Sequence, residues 1–227
     1  MTEQQTPGMP SNVIIESTYS GAFSHGWHTM KKYFIELLLV IFVLILFSLP
    51  MGLINRFIDI HTFGYFSYSL IGMAYGIIVL GPISYGVNWI FLKAVRHEPF
   101  KTYDMFMAFQ NIWNVVIANI LVGVIVGIGI ALLIVPGIIF ACRLAFVSYL
   151  VMDQKMEAID AIKKSWEMTK GYSWTIFGMA IMSFFIGIAG LICLGVGIFP
   201  AIMWISAAFA SLYWSVATKN QQVGQIL

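Results

Sequence analysis

The sequence has little charge: only 10% of its 227 residues are Asp, Glu, Lys or Arg, whereas 60% are hydrophobic. Soluble globular domains carry roughly 25% charged residues, so this composition excludes an ordinary soluble domain. The net charge is only +2, and the basic residues are spread along the chain. Because neutralising phosphates requires a concentrated basic surface, we predict no nucleic-acid partner.

Cysteine is also scarce, and no pattern of a known catalytic or metal site is present. Cys142 and Cys193 both lie in apolar segments, and two isolated thiols do not make a ligand set. His25 and His28 are three residues apart on one helix face, but no third ligand is near them in the sequence. The sequence lacks an HExxH motif, a P-loop, a nucleophile elbow and paired intramembrane carboxylates. We therefore predict a non-enzymatic protein with no cofactor and no bound metal.

Six apolar segments dominate what is present, and we interpret each as a membrane-crossing helix. They are residues 33–54, 66–92, 113–134, 137–152, 174–198 and 200–217. Pro50, Pro136 and Pro200 stand near the junctions of paired segments. Because proline lacks the N–H that continues a helix, we expect each first helix of a pair to end there, in an outer turn. The sequence predicts an all-α polytopic membrane protein, with six transmembrane helices arranged as three helical hairpins.

The basic residues are distributed asymmetrically, since ten of the twelve fall in alternate connections between the segments. Loops rich in Lys and Arg remain in the cytoplasm, because translocating them is unfavourable. We expect a multi-pass protein of the bacterial inner membrane with both termini in the cytoplasm. Residues 1–12 would be a disordered tail, 13–219 the transmembrane domain and 220–227 a second tail. The ten residues are Lys31, Lys32, Lys93, Arg96, Lys101, Lys155, Lys163, Lys164, Lys170 and Lys219.

An amphipathic stretch precedes each hairpin on the side assigned to the cytoplasm. Aromatic and basic side chains suited to the membrane interface lie in these stretches, and we predict them to be anchors of interfacial helices. They are Trp27, Lys31, Trp113, Trp166 and Lys170. Trp27 and Lys31 match Trp166 and Lys170 at a constant offset of 139 residues, which indicates an internal repeat. Chance is the alternative, because Trp and Lys are common at membrane interfaces.

Arg143 is the residue whose burial in a membrane costs most, about 2.5–3.5 kcal/mol for an Arg at the centre of a span. It stands six residues after Gly137. In one interpretation its side chain reaches the outer headgroups or the carbonyls freed at the Pro136 turn. In the other, Arg143 and the helix start at Gly137 bind an anionic lipid or ligand. Tyr75 and Ser206 are neutral polar candidates at the same depth.

One segment resembles a pattern from uncharacterised six-span membrane proteins of bacteria and archaea. Its residues are Asp153, Glu157, Ala158, Ile159, Ser165, Met168, Thr169, Lys170, Gly171 and Trp174. Similar residues elsewhere are Gly81, Pro82, Gly86, Pro136, Gly137, Ile138, Ile139, Ala208, Phe209 and Tyr213. The proteins that it resembles are related to the YciC type and to the membrane domain fused to some glycerophosphodiester phosphodiesterases. The resemblance implies a helical inner-membrane domain, without the phosphodiesterase activity, because none of these residues belongs to such a soluble domain.

Two functions remain open on the sequence. The first is a non-enzymatic membrane protein that binds membrane lipids, or that assists or organises another membrane protein or a homo-oligomer. The second is a small transporter or lipid translocator that uses Arg143 for an anionic substrate. Transporters usually have broken helices that meet at the midplane. Here the Pro and Gly breaks are expected at the outer turns, which favours the first function.

Overall fold

The computed structural model describes residues 17–57, 65–192 and 197–226, and every regular element in these ranges is helical. The all-α prediction is therefore confirmed. The helices are α1 Tyr19–Lys32, α2 Phe34–Phe57, α3 Tyr65–Tyr75, α4 Gly81–Val95, α5 Ile112–Leu132, α6 Ile134–Arg143, α7 Val147–Asp153, α8 Ala158–Met168, α9 Ser173–Ile192 and α10 Ile198–Ile226. A π-helical turn, Gly76–Leu80, joins α3 to α4, and a 3-10 segment, Thr102–Asn111, precedes α5. Residues 1–12, expected to be a disordered tail, lie outside the described residues, whereas α10 continues as a helix through most of the expected C-terminal tail.

Five helical stretches within the described ranges are long and apolar enough to cross a membrane. They are Leu70–Val95, Thr102–Leu132, Ile134–Asp153, Ser173–Ile192 and Ile198–Asn220. A sixth is counted if α1 and the first part of α2 form one broken span, but the two helices are bent by 94°. These lengths and apolar surfaces are those of a membrane-embedded protein.

The prolines do not end the first helix of each pair as expected. Pro50 lies inside α2, which continues to Phe57. Pro136 and Pro200 lie in the first turns of α6 and α10. A proline is tolerated in the first turn of a helix, because the N–H that it lacks would have no partner within the helix. α6 and α10 therefore begin before these prolines and not at them.

The fourth predicted span is interrupted in its interior. α6 ends at Arg143, and a turn over residues 144–146 separates it from α7. The Val147 N–H bonds to the Leu144 carbonyl at 3.2 Å, so it does not continue the α-helical ladder to Arg143. The freed Arg143 carbonyl accepts hydroxyl hydrogen bonds from Ser165 at 2.8 Å and Thr169 at 3.2 Å. Because residues 144–146 include neither proline nor glycine, no breaker residue in the sequence indicated this break. A π-helical turn before α4 is a second irregularity in the described helices.

The centre of the bundle is formed by α10, which packs against α1, α4 and α9, and the rings of Phe146 and Tyr149 contact the ring of its Tyr213. In the span Ile198–Asn220, 56% of the most apolar part is buried inside the protein, against 17% in Ser173–Ile192. The large fully buried side chains of this centre include Phe91 of α4, Phe146 and Leu150 of the α7 region, and Tyr213 of α10. The apolar sides of α5 and α9 therefore face the surroundings of the protein.

Two glycines allow backbones to approach closely in this centre. A Cβ built on Gly26 of α1 would lie 2.7 Å from the Ala208 nitrogen of α10. A Cβ built on Gly86 of α4 would overlap the Met105 carbonyl of the 3-10 segment. Both obstacles are backbone atoms, which cannot move aside as a side chain can.

The substitution Gly86→Ala should therefore destabilise the protein, by about 3 kcal/mol or more, since over-packing a core displaces the backbone. Gly178→Ala in α9 is the matched control, because a Cβ there meets nothing within 4 Å among the described residues. Replacing Gly by Ala in a helix is otherwise favourable by up to about 1 kcal/mol. Thermal unfolding in detergent measures both variants, and equal melting temperatures would contradict the close approach at Gly86.

Candidate functional site

A buried ion pair joins three helices at one end of the bundle. The guanidinium of Arg96, which caps α4, donates to both carboxylate oxygens of Asp153, from Nη1 at 2.6 Å and from Nη2 at 2.7 Å. The hydroxyl of Tyr213 in α10 donates to Oδ2 of Asp153 at 2.8 Å. The Arg96 and Asp153 side chains are only 17% and 12% exposed. Two parallel hydrogen bonds of this kind fix orientation as well as charge.

The electrostatics of the pair keep Arg96 charged. Burial by itself would lower the pKa of Arg96, but hydrogen bonding to Asp153 and the negative charge of Asp153 raise it above its ordinary value. Glu98 adds a weaker contact, with 3.9 Å between Arg96 Nη1 and Glu98 Oε1. A buried charge without its partner is strongly destabilising, so Arg96 and Asp153 depend on each other.

The chain reverses direction next to both partners of this pair. His97, which follows Arg96, has a φ of 57°, and Lys155, two residues after Asp153, has a φ of 50°. At the first reversal, the Glu98 N–H bonds to the Lys93 carbonyl at 2.9 Å, the pattern that commonly closes a helix C-terminus. Non-glycine residues in this conformation cost roughly 1–2 kcal/mol each. The surrounding contacts must supply that free energy.

Other polar side chains near this end are also bonded within the protein. Lys93 Nζ pairs with Asp104 Oδ2 at 2.9 Å, which ties α4 to the 3-10 segment. Asn114 at the start of α5 donates to the Met156 carbonyl at 2.8 Å and accepts from the Ala158 N–H at 2.7 Å. The second of these bonds caps the start of α8. The polar groups thus position the connections between helices.

Gly137 does not offer a free N–H beside Arg143, and the anion site expected at Arg143 stays a prediction. Gly137 lies in the first turn of α6 and Arg143 is its last residue, about 9 Å further along the helix axis at 1.5 Å per residue. The Gly137 N–H bonds to the Leu133 carbonyl at 3.3 Å, and a Cβ on Gly137 would lie 2.7 Å from the Ile130 nitrogen. Gly137 therefore permits tight packing of α6 on α5, and its N–H is not free for an anion.

The Arg143 side chain packs against α8 instead. Its guanidinium lies over the ring of Trp166, 5.7 Å from the ring centroid, and its Nη1 is buried without a hydrogen-bond partner in the described part of the chain. The Tyr75 hydroxyl donates to the Phe47 carbonyl at 2.7 Å, and Ser206 is half-buried on α10. The structure brings Arg143 together with an aromatic ring of the predicted interfacial helix, not with Tyr75.

The predicted interfacial anchors have different surroundings. Trp27 and Lys31 lie together, with Lys31 Nζ 4.8 Å from the Trp27 ring centroid. Trp113 is 78% exposed, and Lys170 is exposed. Trp166 is packed between Arg143 and Phe140. The pairs that match at an offset of 139 residues are therefore not equivalent in the structure.

A histidine cluster connects α1 to α10 and to the end of α4. His25 Nδ1 lies 3.0 Å from the Ser211 hydroxyl oxygen, and the His25 ring centroid is 6.0 Å from those of both His97 and Trp214. Burial, followed by the charges of His97 and His28, lowers the pKa of His25 to about 4. Burial and the charge of Lys32 lower the pKa of His97. No group of three metal-ligating side chains forms within residues 17–57, 65–192 and 197–226.

No family model matches the chain, and neither a curated protein nor a solved structure matches it. The family resemblance therefore stays a prediction. Several of the residues on which it rests have structural roles nonetheless. Asp153 and Tyr213 are hydrogen-bonded to each other, Ser165 and Thr169 bond the Arg143 carbonyl, and Gly171 has a φ of 86°. The family pattern includes Asp153 and Tyr213 but not Arg96. The sequence indicated Arg96 only as one of the basic residues in a connection between apolar segments.

Removing one partner of the buried pair should lower stability more than removing both. We expect Asp153→Leu to lower the free energy of unfolding by about 3 kcal/mol, because Arg96 is left buried and unpaired. The double variant Arg96→Leu with Asp153→Leu should lose less than Asp153→Leu alone. Denaturant titration in mixed micelles measures these differences.

The control for this cycle is the exposed pair of Lys163 and Asp160, whose side chains are 70% and 59% exposed with 3.7 Å between their charged atoms. Lys163→Ala should change stability by no more than about 0.5 kcal/mol. Additive losses in the Arg96 and Asp153 double variant would contradict the mutual dependence of the pair.

Acidification should weaken the docking of α1 on α10. The pKa of His25 falls from 6.5 to about 4 on folding, so the undocked state binds a proton that the docked state does not. The stabilisation is complete above the unfolded pKa and is lost as the pH falls from there toward the folded pKa. Thermal unfolding in detergent at about pH 7.5 and about pH 5 should show the loss. His25→Gln should remove most of the pH dependence, whereas His28→Gln should reduce it only slightly, because the charge of His28 is the smallest of the three causes that lower the pKa of His25; identical profiles for all three proteins would exclude His25 as the cause.

Proposed function

We propose that the protein is a non-enzymatic, multi-pass protein of the bacterial cytoplasmic membrane that binds membrane lipids and acts as an accessory to another membrane protein. One observation carries this proposal. The polar clusters at Arg96, Lys93 and Asn114 are bonded within the protein, whereas much of the apolar surface of α5 and α9 is left exposed. A chain arranged in this way offers its surroundings an apolar surface with basic and aromatic groups beside it, which suits lipid and membrane-protein partners.

The proposed topology has six spans in three hairpins, with both termini in the cytoplasm. Contacts between the connections assigned to the cytoplasm support it. Arg96, which follows the second proposed span, bonds to Asp153, which follows the fourth. The Tyr33 ring packs on that of Phe100, with 5.4 Å between the ring centroids. Lys219 Nζ lies 5.9 Å from the Tyr172 ring centroid. Each pair joins the two connections that flank one proposed hairpin, so both ends of each hairpin lie on the same side of the bundle, as this topology requires.

A second candidate function is a transporter or lipid translocator for an anionic substrate that uses Arg143. The helix breaks inside the spans favour it, because π-turns and broken helices often mark functional sites. The buried, unpartnered Nη1 of Arg143 favours it too. Against it, the carbonyl freed at the break is already bonded by Ser165 and Thr169.

Arg143→Leu separates these two functions. Under the accessory proposal the variant should be as stable as the wild type or more stable, because the burial cost of the charge disappears. Its thermal stabilisation by added anionic lipid should match that of the wild type. Loss of the lipid response in Arg143→Leu, with partial recovery in Arg143→Lys, would instead support an anion site, since an ammonium cannot reproduce the guanidinium fork.

Native mass spectrometry after gentle extraction tests the accessory proposal directly. We expect phospholipids, and a second membrane protein or a further copy of the chain, to remain bound to the wild type. A wild type that retains neither lipid nor protein, and that moves an anionic substrate across a liposome membrane, would overturn the proposal.

A further inference from the structure

An apolar groove runs between α2 and the start of α10. Its volume is about 640 Å³, within the range of roughly 300–1,000 Å³ that is usual for ligand sites. All of its described lining residues are apolar: Phe34, Leu38, Leu39 and Phe42 on one side, and Gly197, Phe199 and Pro200 on the other. The Gly197 carbonyl accepts the Ala201 N–H at 3.1 Å. A polar ligand would find no bonding partner on these walls and would lose its hydration.

The groove begins at the bend between α1 and α2, where the charge changes abruptly. Phe34 is the first residue of α2, and the two residues at the end of α1, Lys31 and Lys32, are exposed basic side chains. The bend of 94° turns α1 away from the groove, so α1 does not extend along it. From Phe34 to Phe42 the wall is about 12 Å long at 1.5 Å per residue.

Aromatic residues on the α1 side of the bend pack α1 against α10. The Trp27 ring packs on Trp204 of α10, with 4.8 Å between the ring centroids, and Lys31 lies over the Trp27 ring. The Trp204 indole N–H donates to the Phe23 carbonyl at 2.8 Å. α10 also supplies Phe199 and Pro200, which form one wall of the groove. Because α1 is packed on α10, its Lys31 and Lys32 are held at a defined position relative to that wall.

We propose that this groove binds one acyl chain of an anionic phospholipid from the surrounding membrane, with the phosphate of its headgroup at Lys31 and Lys32. The inference rests on the proposed lipid-binding function and names the site and the class of lipid. A basic mouth followed by an apolar groove is complementary to a molecule with an anionic head and a hydrocarbon tail. Juxtamembrane Lys residues attract anionic headgroups, and hydrocarbon gains free energy by covering apolar walls.

Leu39→Trp tests the groove, because Leu39 lines it and is 51% exposed, so that an indole there occupies space needed by the acyl chain. Leu46→Trp is the matched control: Leu46 lies two turns further along α2, is 53% exposed and is not among the groove residues. The purified proteins are incorporated into nanodiscs of equal phosphatidylglycerol and phosphatidylcholine, then extracted and analysed by native mass spectrometry. We expect one retained phosphatidylglycerol per chain in the wild type and in Leu46→Trp, and at least a tenfold lower occupancy in Leu39→Trp.

The double variant Lys31→Gln with Lys32→Gln tests the headgroup contact without altering the core. It should still retain a phospholipid but with equal occupancy by the two lipid classes. Unchanged phosphatidylglycerol occupancy in Leu39→Trp would overturn the groove site while leaving the lipid-binding function standing. A wild type that retains no phospholipid would overturn both, and a wild-type dimer that dissociates only in Leu39→Trp would show that a second copy of the chain is the occupant.

Discussion

The arrangement of the bundle depends on the ion pair between Arg96 and Asp153. These side chains lie at the ends of α4 and α7, and Tyr213 of α10 bonds to the same carboxylate. Since α10 also supports α1, the pair sets how the central helix meets its neighbours. Its energetic role is specific: the pair contributes little beyond its own desolvation cost, but either partner alone would be a buried charge. Any packing that separates Arg96 from Asp153 would therefore leave a buried charge unpaired.

The need to pair buried polar groups also explains how the break in the fourth predicted span is accommodated. In an apolar environment every backbone group that leaves the helical ladder must be bonded inside the protein. The turn at residues 144–146 frees the Arg143 carbonyl. The hydroxyls of Ser165 in α8 and of Thr169, which caps α8, donate hydrogen bonds to that carbonyl. α8 is thus attached to the bundle by two hydrogen bonds and by the packing of Trp166 against Arg143. A helix expected to lie on the membrane surface is at the same time a structural partner of a span.

These bonds bear on the proposed function because they use the polar side chains of three clusters to join helices. The clusters around Arg96, Lys93 and Asn114 connect helices to one another. Four other basic side chains lie over aromatic rings: Lys31, Lys32, Lys101 and Lys219. Lys31 and Lys32 are the clearest case, since they stand where the sharp bend before α2 opens an apolar groove. Under the proposed function, the protein would recognise amphiphilic partners by the position of charge relative to apolar surface.

The sequence by itself determined the helical class and the presence of several membrane-length apolar segments, because hydropathy is a local property. It also drew attention to Asp153 and Tyr213 through a family resemblance, but it could not reveal Arg96 as their partner, 57 residues before Asp153. Neither did it predict that His25 would meet Ser211, 186 residues away, nor that Arg143 would turn toward Trp166. The tertiary structure decided these contacts, because which side chains meet depends on where helices cross and bend. Crossing points are set by close approaches such as Gly26 to Ala208 and by the backbone bonds freed at each break, and no local pattern of hydropathy encodes them.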